Sequence, residues 1–60
     1  MNLEDLAQAL KIDLTDGKYK FLFEQYKDTY GNIKANKRAL EIMILDRITE
    51  LVEKIGGENE

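Results

Sequence analysis

Cysteine, histidine and proline are all missing from this 60-residue chain. Without cysteine or histidine there are no disulfide staples, no thiolate or imidazole zinc ligands, no nucleophilic thiol and no imidazole to move a proton. Without proline, and with only four glycines, little interrupts a helical backbone. Long hydrophobic runs are missing too: charges break up the apolar residues, and no window approaches the roughly 18 apolar residues of a membrane span. The first ten residues carry Glu4 and Asp5 and no apolar run, so no export signal and no membrane contact are expected, and the expected location is the cytoplasm. Nine basic against twelve acidic residues leave a net charge of −3, which gives no general attraction to phosphate backbones.

Catalysis has little to work with. The carboxylates lack a His or Cys partner, and the glycines fit neither G-x-G-x-x-G nor G-x-x-x-x-G-K. Asp13, Asp16 and Gly17 suggest a calcium loop, but with Gly17 at its sixth position the first and twelfth ligands would be Ile12 and Phe23, neither able to bind a cation. So small a helical chain offers little concave volume for a substrate. No enzymatic activity, cofactor, metal or small-molecule substrate is expected. A chain of this size buries only about 60% of the surface its unfolded form exposes, so its core is marginal and self-association is an obvious remedy.

Abundant Leu, Ile, Glu and Lys at helical spacing predict an all-α protein. A first helix is expected over about Leu3 to Leu10, capped by Asn2, with Leu3, Leu6, Ala7 and Leu10 as its stripe. "KIDLTDGK" is the connection, with Asp13, Thr15 and Asp16 as competing caps. In a second helix, Tyr19, Leu22, Phe23, Tyr26 and Tyr30 share one face, which reads as core packing, while Phe21 points elsewhere. Gly31 and Asn32 form a short hinge, and a long third helix is expected from about Ile33 to Ile55, stopped by Gly56 and Gly57. Its main core stripe is Leu40, Ile44, Leu45, Ile48, Leu51, Val52 and Ile55, with Ala35, Ala39 and Ile42 on a different side. Leu45, Ile48, Val52 and Ile55 also fit heptad a and d positions over two heptads. The expected fold is a small three-helix bundle, two short helices on one long C-terminal helix, with a core that dimerisation can complete. Residues 1–57 form its single domain and 58–60 a disordered polar tail.

The basic cluster Lys34, Lys37 and Arg38 sits at the start of the third helix, where side chains could reach phosphates, although Glu41 dilutes it. "FEQYKDTYGNIKANKRALEI" resembles a helix-turn-helix in length and in its Gly at the turn, but Lys27 and Lys37 fall where that motif has a small and an apolar residue. "LTDGKYKFLFEQY" with "GNIKANKRAL" is similar to the N-terminal segment of phage small terminase subunits through Leu14, Thr15, Phe21, Tyr26, Gly31, Asn32, Ala35 and Ala39, a likeness that implies DNA binding. "LEDLAQALKID" resembles the start of phage head-tail connector proteins.

The function these residues favour is a regulatory or protein-interaction module that binds itself, as a homodimer, or a larger protein. Its contact residues are expected to be Phe21, Ile42, Met43, Val52 and Ile55 on surplus apolar surface. The alternative is a phage-related DNA-binding protein that uses Lys34, Lys37 and Arg38.

Overall fold

A computed structural model describes residues 2–58, and they form two helices, α1 (Leu3–Ala9) and α2 (Gly17–Glu58). Asn2 caps α1 as its sequence suggests: the side-chain oxygen accepts the Asp5 N–H at 2.8 Å, while Glu4 and Asp5 face the positive end of the helix dipole. Seven residues would not stay helical in isolation, and the far end is closed with unusual care. Lys11 takes a left-handed backbone, φ 60, which lets its N–H reach the Gln8 carbonyl at 3.0 Å and the Ile12 N–H reach the Ala7 carbonyl at 2.9 Å. This pair of bonds is a Schellman motif, and Ile12 packs against the core beside Ala7, as the motif requires.

Of the competing caps in the connection, Asp16 takes the start of α2, its Oδ1 accepting the Lys18 N–H at 2.7 Å. Asp13 instead closes a local turn, accepting both the backbone N–H of Thr15 at 2.8 Å and its hydroxyl at 2.6 Å. Those bonds, the hydroxyl first, hold the Asp13 carboxyl below its ordinary pKa.

The expected three-helix bundle is corrected to a short helix packed on a long one. The second and third helices of the sequence reading are one element, because the whole reversal is taken up by a single residue, Gly31, at φ 77 and ψ 170. Helical hydrogen bonding resumes at once on both sides, leaving no connecting loop. A straight helix of 42 residues would be about 63 Å long, whereas the longest dimension of the molecule is 43 Å. Lys18 Nζ meets Asp46 Oδ2 at 2.6 Å, so the two arms of α2, 17–30 and 32–58, run back against each other. That contact raises the Lys18 pKa, chiefly through the hydrogen bond to Asp46.

The core lies on two sides of the C-terminal arm. Leu40 and Ile44 meet Ala7 of α1, with Leu3, Leu6, Leu10, Ile12, Leu14 and Tyr19 packed around them. Burial raises the pKa of the half-buried Tyr19, with a smaller contribution from Glu4. Ala35, Ala39 and Met43 are buried about 100° round the helix, on the side where Lys18 reaches Asp46 and hence where the N-terminal arm lies. Two fully buried alanines one turn apart keep that side of the helix narrow, which allows close approach of the backbones. From the N-terminal arm, Leu22, Phe23 and Tyr26 are half-buried, and Tyr26 stacks at a tilt on the exposed Tyr30, ring centroids 5.8 Å apart.

The predicted core stripe holds only in its first part. Leu40 and Ile44 are buried and Leu51 half-buried, but Leu45, Ile48, Val52 and Ile55 are exposed. Two reasons combine: Leu45 lies on one line with the exposed Lys34 and Arg38, turned away from both neighbours, and the C-terminal arm, about 40 Å long, reaches beyond the N-terminal arm of about 21 Å. Arg47 marks the edge, its Nε donating to the Leu10 carbonyl at 3.2 Å. Gly56 and Gly57 do not stop α2, which continues to Glu58; of the expected tail, residues 59 and 60 lie outside the described residues.

The two left-handed residues make opposite predictions. A Cβ at Gly31 would meet open space, so Gly31→Ala costs backbone strain alone, about 1–3 kcal/mol in urea unfolding. Lys11→Gly relieves left-handed strain and should add about 0.5–1 kcal/mol by the same measurement.

Candidate protein interface

Four aliphatic side chains, Leu45, Ile48, Val52 and Ile55, follow one another at intervals of three, four and three residues along α2, and a helix places such positions on one face. Their exposures are 59%, 40%, 61% and 61%, too high for any of them to be core. They stand on a helix already held by the rest of the molecule over its first half, so the face is presented with its backbone in place. Going toward Gly31, the same line continues through Glu41, Arg38 and Lys34 at the same alternation of three and four. One strip of surface therefore changes from basic to apolar along its length, with Lys37 beside its basic end.

The residues expected to contact a partner are only partly brought together. Val52 and Ile55 belong to this face. Phe21 is 67% exposed but sits on the other arm; Ile42 is half-buried; and Met43 is buried in the core, where it has no surface to offer. Leu45 and Ile48 take their place in the set. Their signal was present in the sequence as the heptad spacing, but a core reading absorbed it. Ile33, 87% exposed beside the kink, was assigned to no surface at all.

Lys34, Lys37 and Arg38 are exposed and line a shallow groove with Tyr30 and Glu41. Arg38 Nη1 lies 3.3 Å from Glu41 Oε2, so one of the three cations already has an anionic neighbour. Surface pairs of this kind contribute little stability, typically about 0–1 kcal/mol. Among the described residues no three acidic side chains gather to hold a metal ion, and no helix is long and apolar enough to cross a membrane. Compared with protein-family models, curated proteins and solved structures, the chain matches none.

The division between core and face is measurable. Ile44→Ala should cost about 2–5 kcal/mol in urea unfolding, as for a buried aliphatic. Val52→Asp should change stability by less than about 0.5 kcal/mol at micromolar concentration, because its side chain is already in water.

Proposed function

We propose that this chain is a small, non-enzymatic docking module that binds protein through the apolar face Leu45, Ile48, Val52 and Ile55 of α2. The single observation carrying the reading is that four large aliphatic side chains lie exposed in a row on a braced helix. A helix lying against such a row would find anchors spaced as helix-in-groove partners use them. Each side chain, once covered, contributes about 1.5–3 kcal/mol of burial. Patches of this kind on a small domain are commonly binding surfaces. The setting we propose is the cytoplasm, the compartment a cysteine-free sequence permits.

The competing reading, a phage-related DNA-binding protein, rests on the exposed Lys34, Lys37 and Arg38. Three cations with an adjacent carboxylate, on a chain of net charge −3, make a small electrostatic footprint.

A photoreactive residue placed at position 52, in the cells that make the protein, tests the docking reading. An adduct with a second polypeptide is expected, and the absence of any adduct contradicts the reading. Anisotropy of a labelled duplex at low salt is expected to show no binding. Binding that falls steeply with salt and vanishes in a K34A/K37A/R38A variant would make DNA the ligand instead.

A further inference from the structure

We infer that Gly31 is a hinge with a second setting, in which α2 straightens and pairs, antiparallel, with the straightened α2 of a second copy about a two-fold axis level with Lys37. The inference rests on the joint and on the phase of the two arms, independently of the docking reading. Nothing locks the joint: a Cβ at Gly31 would meet no atom within 4 Å, and the Lys18–Asp46 ion pair that ties the arms is half exposed at both partners. On either side of the glycine, Tyr30 is 46% exposed and Ile33, at 87%, stands almost fully in water.

With Gly31 helical, the two arms share one apolar line. Tyr19, Phe23, Tyr26 and Tyr30 follow one another at intervals of four, three and four, and Ile33, Lys37, Leu40 and Ile44 continue the alternation across the joint without a break. After a second step of four in succession, Ile48, Leu51 and Ile55 complete the line, all within an arc of about 100°. The end of the C-terminal arm alone offers two heptads, whereas the straight helix offers about five, more than the three to four that support a coiled coil.

The spacing reads nearly the same from either end about Lys37, as an isologous pair requires. In the antiparallel pair Tyr19 of one copy falls level with Ile55 of the other, Phe23 with Leu51, Tyr26 with Ile48 and Tyr30 with Ile44, so each aromatic meets an aliphatic. Lys34 of one copy lies within one residue, about 1.5 Å along the axis, of Glu41 of the other, on the same flank of the interface and twice by symmetry. Glu41, already 3.3 Å from Arg38 of its own chain, thereby gains a second cation. A parallel pair in register would hold these two residues about 10 Å apart along the axis. Lys37 faces its own copy on the two-fold, a single charged core position of the kind that fixes register at a cost in stability. Opening also brings Lys18 near Lys54 of the other copy, uncovers Ala35, Ala39 and Met43, and takes Leu40 and Ile44 away from α1. The folded-back monomer therefore prevails in dilute solution, and the dimer gains with concentration.

Gly31→Ala biases the hinge, because it strains the folded-back form and removes a poor helix former from the straight one, together at least about tenfold in favour of opening. Sedimentation equilibrium of G31A is expected to show dimers at concentrations at least about tenfold below those the unmodified chain requires. Adding Ile33→Glu, which changes a side chain already in water in the monomer, should abolish that dimer and keep the helical circular dichroism. K34E should weaken it, and K34E/E41K should restore it. Spin labels at positions 20 and 50, in labelled chain diluted with unlabelled chain, report the hinge itself: at about 1 mM the unmodified protein is expected to add a population near 45 Å to the short distance of the monomer. The short distance alone at that concentration overturns the opening, as does a helical G31A that stays monomeric, a dimer that keeps the short distance, or one that survives Ile33→Glu. A dimer indifferent to the charge reversals overturns the antiparallel register.

Discussion

Gly31 carries a backbone conformation, φ 77 with ψ 170, that is essentially closed to residues with a Cβ, and it lies a third of the way along what would otherwise be one long helix. From it the arms run back for 13 and 15 residues before Lys18 and Asp46 meet. That reversal sets which faces of the C-terminal arm are covered. One side takes the N-terminal arm over Ala35, Ala39 and Met43, and another takes α1 over Leu40 and Ile44. A single positive-φ residue thus substitutes for a loop, and the entropy of ordering a longer connection is avoided.

The same reversal leaves a third side of that arm uncovered, where Leu45 lies on one line with Lys34 and Arg38. Because the break lies near the middle of the chain but the first part must also supply α1 and its connection, the N-terminal arm is too short to cover its neighbour. After Arg47 only Leu51, among the described side chains, is half-buried, and the helix there keeps the apolar spacing it had in the core. Burial of α1 does not extend far enough to help: its last turn is tied to Arg47 through the Leu10 carbonyl, and the chain then turns away through Lys11. Core and exposed apolar surface are in this sense divided along one helix, the first half packed into the fold and the second largely open to water.

Much of the local structure was legible in the residues. Asn2 as a cap, the stripe of α1, the aromatic face of the N-terminal arm and the break at Gly31 all follow from side-chain chemistry acting within a few residues. Two things were not legible. A helical wheel gives the angle of a side chain but not which angles a neighbour covers or how far along the axis it extends, so Leu45 and Ile48 were placed in the core, and Val52 and Ile55 in both the core stripe and the contact set, when of that stripe only Leu40 and Ile44 are buried and Leu51 half-buried. Met43 and Ile44 are adjacent in sequence yet point about 100° apart, and both are buried because cover comes from two directions; without knowing the second, Met43 read as surface. Lys11 gave no sign of its left-handed backbone, since lysine has no particular preference for it and the Schellman bonds impose it.

The reversal at Gly31 is therefore the claim on which the core, the overhang and the proposed docking face all depend. Spin labels at positions 18 and 50, in chain diluted with unlabelled protein, measure it directly by pulsed dipolar spectroscopy. A straight α2 would separate these positions by about 48 Å. The folded-back helix brings them to less than half of that distance, since Lys18 meets Asp46, about one helical turn before position 50. A distribution centred at the long distance would contradict the account.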